Sequence, residues 1–370
     1  MPEPLQERIR TEAERSEETI EPIVAYKEII KSPEGEEIEA DVAWEKISNQ
    51  YGDVEISTFR GSQPSEKAVF YSMGLGGSID RFKRKFVIDL INEGYDIVFI
   101  HRNGTQLGEN SKSVDSPQRI EIAQQNSQSH IGDKPEYGYK EWTQEFSTAV
   151  SSLGERYNEI KFVGSSFGAL VGLEGLRQLQ EKKDTVVSKI KTFISLSGQI
   201  GKPIADTEGR VWVDKGRKYA LTSGDDAKTS FDGILDYIRK SGGGGSAKMK
   251  ATPEIIKEYL EIMDRLYDPA TDLPKNVDVV HVMPWKEQFF ATQQAKMLME
   301  RLGDNALFIA DRTQTGKPGE RHSSPNLTPE TLSKWLKLKP EEKSQRVYTL
   351  NDQREDIKPM KWLSGEKYEI

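Results

Sequence analysis

The chain has 370 residues, 30% of them charged, and its net charge of -8 argues against a nucleic-acid-binding surface. It contains no cysteine, which excludes disulfides, thiolate metal ligands and a cysteine nucleophile. No apolar run approaches the roughly 18 residues of a membrane span, and the acidic N-terminal residues contain no apolar signal core, so we expect a cytoplasmic protein without a membrane span.

The first part of the chain predicts an antiparallel lead-in to a sheet. Residues 1–19 form a charged N-terminal segment, for which we expect a polar helix or a solvated tail. Apolar and polar residues then alternate at 20–30, 37–44 and 53–59, with turn residues between these segments. Such alternation is typical of strands that bury one face.

From Lys67 onward, short apolar strands alternate with amphipathic helices. Strands are predicted at 68–73, 95–100, 160–163 and 190–196, and helices at 79–92, 142–157 and 169–181. A long polar loop separates the strand that ends at Ile100 from the next helix. This alternation predicts an α/β fold with a mostly parallel central sheet and helices on both faces.

The alternation stops in a polar segment, residues 199–273, which we interpret as a cap inserted over the sheet. It contains the glycine run 241–246, which is equally consistent with a flexible joint, a surface loop or a linker, and a helix predicted at 253–267. Further strands follow at 277–282 and 306–310, and further helices at 289–302 and 329–336. The core is therefore predicted over 20–198 and 274–340, followed by a charged C-terminal tail, 341–370, with at most one short strand at 346–350.

One turn in the predicted core carries a reactive group. The sequence Gly164-Ser165-Ser166-Phe167-Gly168 lies between an apolar strand and a helix with one apolar face. In such a sharp turn the central side chain projects from the backbone, and glycines two residues away let the strand and helix approach. This predicts that Ser166 is a nucleophile at a helix N-terminus, where free N–H groups stabilise negative charge.

A serine nucleophile requires a general base, which we assign to His322. His322 lies in a loop beyond the last predicted core strand, whereas His281 lies inside an apolar strand and is expected to be a core histidine. His101 directly follows a strand and could line the site, and His130 is expected at the surface. None of the four histidines is four residues from another, so no metal site is predicted.

The base requires a carboxylate to orient it, and Glu287 is the first one past the strand at 277–282. A glutamate at this position is also favourable without any catalytic role, because the helix dipole stabilises a negative charge in the first turn of a helix. Asp311, Asp304 and, more remotely, Asp206 are the alternatives.

The turn after the strand at 68–73 is predicted to complete an oxyanion hole. Its sequence, Gly74-Leu75-Gly76-Gly77-Ser78, allows close backbone approach to a substrate, and the N–H groups of Leu75 and Phe167 are the expected donors. The glycine spacing differs from that of a dinucleotide-binding loop, so a nucleotide cofactor is not predicted.

These motifs resemble those of the α/β-hydrolase superfamily: the elbow around Ser166, the glycine-rich turn, the order Ser166, Glu287, His322, and a cap after the family's sixth strand. The resemblance covers roughly Glu55 to Leu336. Two features differ from the family pattern. Met73 replaces a common histidine, and the segment from His101 replaces the usual Asp-x-Arg-Gly.

The resemblance implies a cofactor-independent serine hydrolase acting on a small-molecule ester or a peptide. A carboxylic ester hydrolase of the esterase or lipase type is our first interpretation. A serine aminopeptidase-like enzyme and a non-catalytic binding protein of the same fold are the alternatives. The sequence does not indicate an oligomeric state.

Overall fold

The computed structural model of the protein describes residues 19–31, 35–49, 52–74, 84–101, 138–198, 212–214, 217–219, 253–267, 277–284, 306–311, 347–350 and 357–359. Its strands are β1 (Thr19–Lys31), β2 (Glu37–Asn49), β3 (Gly52–Arg60), β4 (Lys67–Ser72), β5 (Asp96–His101), β6 (Glu159–Ser165), β7 (Ile190–Leu196), β8 (Trp212–Asp214), β9 (Arg217–Tyr219), β10 (Asp278–Pro284), β11 (Ala306–Asp311), β12 (Val347–Leu350) and β13 (Ile357–Pro359). Its helices are α1 (Arg84–Asn92), α2 (Tyr139–Gly154), α3 (Phe167–Glu181), a 3₁₀ helix at Thr185–Lys189, and α4 (Pro253–Tyr267).

Eleven of the described strands form one sheet in the order β1-β2-β3-β5-β4-β6-β7-β10-β11-β12-β13. The predicted lead-in is confirmed, because β1, β2 and β3 pair antiparallel and β3 continues antiparallel onto β5. From β5 to β12 each neighbouring pair is parallel, and β13 closes the far edge antiparallel. The central sheet is thus mostly parallel, with an antiparallel extension at one end.

The chain order around β4 creates a switch point in the sheet. From β4 the chain crosses to β5 on one side and then returns to β6 on the other, so β4 lies between them. Ligand sites in open α/β sheets lie at the carboxyl ends of strands at such points. Here those ends are at Ser72 and Ser165, in the register that pairs Ser72 with Gly164.

Two hydrophobic cores cover the two faces of the sheet. On one face, α2 and α3 bury Trp142, Phe146 and Leu173 against sheet residues such as Phe162. On the other face, α1 packs over the antiparallel extension and the central strands, where Trp44 is buried. The large apolar residues of α2 recur every three or four residues and pack on the sheet, and most of the helix's other residues are buried as well.

The region between β7 and β10 contributes a hairpin and a helix. Strands β8 and β9 pair antiparallel as a separate two-stranded sheet. Helix α4, predicted with the same bounds, carries Tyr259, Ile262 and Leu266 at helical spacing, and all three are buried in the core beside α2 and α3. The cap boundaries at 199–273 and the other predicted domain limits stay predictions.

Several differences from the predicted elements have local causes. Helix α2 begins at Tyr139, three residues before its predicted start, because Glu141 accepts a hydrogen bond from the Gly138 amide at 2.8 Å. Strand β13 was not expected: a second short strand pairs with β12 inside the predicted tail. Residues 1–18 of the predicted N-terminal segment, the polar loop after His101, the glycine run and the helices at 289–302 and 329–336 lie outside the described residues, whereas Thr19 begins β1.

None of the helices within the described residues is long and apolar enough to cross a membrane.

Candidate active site

Ser166 occupies a strained position between β6 and α3. Its backbone angles are φ 52° and ψ -121°, a conformation that side-chain-bearing residues rarely adopt. The Ser166 amide donates to the Leu196 carbonyl oxygen at 2.9 Å, and the Ala169 amide donates to the Ser166 carbonyl oxygen at 3.1 Å. Hydrogen bonds to both sides of the residue therefore hold the strained turn in place.

The two glycines flanking Ser166 are required by close backbone contacts. A Cβ atom at Gly164 would lie 2.5 Å from the Ala169 Cα, and one at Gly168 would lie 2.2 Å from the Ser72 carbonyl oxygen. These neighbours are backbone atoms, which cannot turn aside as a side chain can. The geometry thus explains the predicted Gly-x-Ser-x-Gly pattern as a packing requirement of strand β6, helix α3 and strand β4.

Gly74, just beyond β4 and the first residue of the predicted oxyanion turn, lies beside the nucleophile. A Cβ atom there would lie 3.1 Å from Ser166 Cβ and 3.3 Å from the Ser165 carbonyl oxygen. Phe167 is the first residue of α3, so its amide belongs to the helix N-terminus, where intrahelical acceptors are missing. Leu75 itself lies outside the described residues, and its part in an oxyanion hole stays a prediction.

The segment after β7 lies on the opposite side of Ser166 from Gly74. Ser197 has a left-handed backbone, φ 47°, and its amide donates to the Val282 carbonyl oxygen at 2.6 Å. A Cβ atom at Gly198 would lie 2.0 Å from Ser195 Oγ and 2.4 Å from Ala169 Cβ. This segment is therefore packed between the nucleophile turn and the end of β10. Ser197 is not among the predicted site residues, although its place just past a strand end was a signal.

His281 is a core histidine, as predicted. Its Nδ1 atom shares a 2.8 Å hydrogen bond with the buried Ser195 Oγ, and desolvation by burial lowers the pKa of His281 to about 4. The imidazole is consequently neutral at neutral pH. It lies on the face of the sheet beneath α3 and links β10 to β7.

His101 is the last residue of β5, at the same edge of the sheet as Ser166, but its ring belongs to a packed cluster. It stacks on Trp44 with ring centroids 4.5 Å apart and an interplanar angle of 10°, and its Nε2 hydrogen-bonds to Ser57 Oγ. The residue is buried. These contacts support a structural role for His101 in the antiparallel part of the sheet.

The remaining predicted catalytic residues are not all described. His322 and Glu287 lie outside the described residues, as do His130, Asp206 and Asp304. The alternative acid Asp311 ends β11 in register with Pro284 of β10, which places it at the edge of the sheet that carries Ser166. The assignments of base and acid remain predictions.

Helix α4 packs against α3, the helix that begins directly after Ser166. The Tyr259 ring lies 6.1 Å from the Phe167 ring and 5.2 Å from the Tyr139 ring, measured between centroids. Farther along, the fully buried Glu174 carboxylate accepts hydrogen bonds from Arg177 at 2.9 Å and from Arg265 at 3.2 Å. An aromatic cluster and an ion-pair cluster together fasten α4 to α3.

The sequence matches no protein-family model and no curated protein sequence. Solved structures do share its fold. A CocE/NonD family hydrolase from Staphylococcus aureus aligns with a TM-score of 0.50 and 12% identity, over 88% of this chain and 56% of that chain.

Two further solved structures align more loosely. A monoacylglycerol lipase from Paleococcus ferrophilus aligns with a TM-score of 0.45 and 15% identity, over 76% of this chain and 98% of that one. An aminopeptidase from a marine-sediment Thaumarchaeota archaeon aligns with a TM-score of 0.46 and 10% identity, over 91% of this chain and 58% of that one. With its sheet order, its strained strand-to-helix turn and the likeness to the Staphylococcus hydrolase, the chain has the α/β-hydrolase fold.

Proposed function

We propose that the protein is a serine hydrolase that cleaves a carboxylic ester through an acyl-enzyme on Ser166. The observation that carries this proposal is the backbone of Ser166. A side-chain-bearing residue is held in a strained conformation at the start of a buried helix, beside Gly74. Strain of this kind persists where the surrounding structure enforces it, and it clusters at catalytic positions. A turn with only a structural purpose would favour glycine at position 166.

In the proposed acylation step, Ser166 Oγ bonds to the ester carbonyl carbon and its proton passes to His322. The N–H groups of Leu75 and Phe167 hold the oxyanion, and Glu287 orients His322 and stabilises its charged form. When the tetrahedral intermediate collapses, the bond to the alcohol oxygen breaks and His322 returns the proton to the alcohol. No cofactor takes part.

Deacylation repeats the sequence with water as the nucleophile. His322 takes a proton from water, the hydroxide oxygen bonds to the acyl carbon, and Ser166 leaves with the proton that His322 returns. The products are a carboxylic acid and the free enzyme. An amide substrate would follow the same steps with an amine as the leaving group.

The experiment compares ester hydrolysis by the wild type, Ser166→Ala and Ser165→Ala. Ser165 is a matched control because it is the neighbouring serine of the same turn and ends β6. We expect Ser166→Ala to remove hydrolysis of p-nitrophenyl esters while circular dichroism stays unchanged, and Ser165→Ala to retain most activity. Activity of Ser166→Ala equal to that of the wild type would refute the site assignment.

A substrate panel tests the reaction class separately. We expect faster turnover of p-nitrophenyl esters than of aminoacyl anilides. The reverse order, with activity still dependent on Ser166, would replace the esterase proposal with a peptidase.

A further inference from the structure

Three aromatic rings meet where helices α2 and α3 begin. Tyr139 is the first residue of α2, Phe167 is the first residue of α3, and Tyr259 belongs to α4. The centroid of the Phe167 ring lies 6.1 Å from that of Tyr139 and 6.1 Å from that of Tyr259, and the two tyrosine centroids are 5.2 Å apart. Each ring therefore contacts the other two. None of the three residues is more than 4% exposed, so the cluster is buried.

The cluster includes the residue that directly follows the proposed nucleophile. Phe167 comes after Ser166, whose backbone is strained at φ 52°, and its N–H group is a proposed oxyanion donor. A strained backbone persists only where surrounding contacts hold it. Hydrogen bonds hold the Ser166 backbone from the side of β7 and from within α3, whereas the two tyrosine rings hold the Phe167 side chain. The direction of the Phe167 N–H group therefore depends on the packing of the Phe167 ring.

Tyr259 reaches this cluster from a separate segment of the chain. Helix α4 lies between β7 and β10, in the predicted cap, and polar contacts fasten it on both sides of Tyr259. The carboxylate of Glu258 lies 3.5 Å from the amide nitrogen of Lys140 in the first turn of α2, and Arg265 donates a hydrogen bond to Glu174 of α3 at 3.2 Å. These contacts keep the Tyr259 ring in the cluster.

We propose that Tyr259 is a positioning residue for the oxyanion hole, whose ring holds Phe167 so that the Phe167 N–H group points at the developing oxyanion. This inference rests on the proposed function. Leucine at position 259 would leave a cavity beside the Phe167 ring, and that ring would move toward it. Misplacement of a catalytic group by about 1 Å lowers a rate by up to about 100-fold. Through Tyr259, α4 thus affects the chemical step.

The experiment measures kcat and KM of Tyr259→Leu and Tyr259→Phe for a p-nitrophenyl ester. Active sites are counted by completed fluorophosphonate labelling, so that an unfolded fraction of the sample does not lower kcat. We expect Tyr259→Leu to lower kcat by about tenfold and to leave KM nearly unchanged. The oxyanion forms in both acylation and deacylation, so both steps slow by a similar factor and KM, which depends on their ratio, stays the same. Tyr259→Phe keeps the ring and should retain most of kcat.

Leu266→Ala is the matched control. Leu266 is buried in the same core as Tyr259 but lies about 10 Å farther along the axis of α4. We expect both Leu266→Ala and Tyr259→Leu to lower the unfolding temperature by about 5 °C, because each leaves a cavity in the core. Only Tyr259→Leu should lower kcat.

Phe167→Leu tests the same contact from the other side. It keeps the backbone N–H group but removes the ring, so we expect it to lower kcat by about tenfold. The double variant Tyr259→Leu/Phe167→Leu should lose no more than either single variant, because both changes remove one contact. If circular dichroism shows that Tyr259→Leu does not fold, Phe167→Leu carries the test alone.

The outcomes separate this inference from the proposed function. Unchanged kcat in Tyr259→Leu, or in Phe167→Leu where the former does not fold, would overturn the role of Tyr259 while hydrolysis still depends on Ser166. An equal loss of kcat in Leu266→Ala, or a loss in Tyr259→Phe as large as in Tyr259→Leu, would also overturn it, because the effect would not depend on the ring beside Phe167. Hydrolysis that persists in Ser166→Ala would refute the proposed function itself, and this role with it.

Discussion

The amide of Ser166 donates a hydrogen bond of 2.9 Å to the carbonyl oxygen of Leu196, which joins the nucleophile turn to the end of the neighbouring strand β7. This bond fixes the nucleophile from the side opposite to Gly74, while α3 begins at the very next residue. Strain at Ser166 is therefore balanced by contacts from β4, β7 and α3 together. Substitutions that disturb any of these contacts should therefore displace Ser166 and lower the rate of ester hydrolysis.

The first prediction concerns Gly168, two residues after the nucleophile. Gly168→Ala would place a Cβ atom 2.2 Å from the Ser72 carbonyl oxygen, so we expect a loss of about 3 kcal/mol in the free energy of unfolding and loss of ester hydrolysis. Urea denaturation and initial rates measure the two effects.

Gly172→Ala in the same helix is the control. Its Cβ atom would meet the end of the Phe193 side chain at 2.8 Å, and an aromatic ring can shift where a backbone oxygen cannot. Alanine also favours the helix by about 1 kcal/mol, so we expect little net change. Equal damage from both substitutions would contradict the close approach of α3 to β4.

The second prediction concerns pH. The pKa of His281 is lowered to about 4 by burial, from 6.5 in the unfolded chain, so the folded state favours the neutral ring. Its contribution to stability is complete above pH 6.5 and is lost as the pH falls toward 4. The full contribution is on the order of 3 kcal/mol. Urea denaturation between pH 8 and pH 4 measures it.

His281→Asn is the comparison, because an amide can still bond to Ser195 but does not titrate in this range. We expect this variant to be less stable than the wild type at pH 8 and to lose less stability between pH 6.5 and pH 4. Parallel pH profiles would show that His281 does not titrate as a buried group.

The third prediction concerns the ion-pair cluster between α3 and α4. Glu174 is fully buried, whereas the Arg265 side chain is 40% exposed. Glu174→Leu removes the shared acceptor of two arginines, and we expect it to destabilise the protein by about 3 kcal/mol. Arg265→Met leaves the Arg177 pair in place and should cost about 1 kcal/mol or less. A larger effect from Arg265 than from Glu174 would contradict this arrangement.

The fourth prediction distinguishes the candidate acids. If Glu287 orients His322, Glu287→Gln should lower kcat by about 10⁴-fold, because the histidine loses its correct tautomer and its charge partner. Asp311→Asn is the matched variant, since Asp311 ends β11 at the same edge of the sheet. Steady-state kinetics at saturating ester measures both. The opposite pattern, with the large loss at Asp311, would transfer the role of acid to that residue.

Periodicity was sufficient to predict most of the sheet. Strand β7 and helix α4 have their predicted bounds. In each, the apolar residues follow a single clear periodicity, and residues that disfavour the element flank it. The elbow followed from small residues spaced around Ser166, a pattern that close packing imposes on the sequence itself. The core role of His281 followed from its apolar strand.

Other features depend on contacts between distant segments, which no local pattern encodes. Strand β13 spans only Ile357–Pro359, too few residues for a periodic signal. The left-handed backbone of Ser197 occurs together with a hydrogen bond to Val282, a residue of another strand that lies far along the chain. Likewise, the sequence predicts that α4 is amphipathic but does not indicate which element it packs against. The contact between Tyr259 and Phe167 shows that α4 packs against α3.

The central claim is that Ser166 is an activated nucleophile, and covalent labelling tests it most directly. The wild type, Ser166→Ala and Ser165→Ala are incubated with a fluorophosphonate, and the modified peptide is identified by mass spectrometry. We predict one adduct, on Ser166, in the wild type and in Ser165→Ala, and none in Ser166→Ala. A folded wild-type protein that remains unlabelled, or one labelled equally after Ser166→Ala, would contradict the claim.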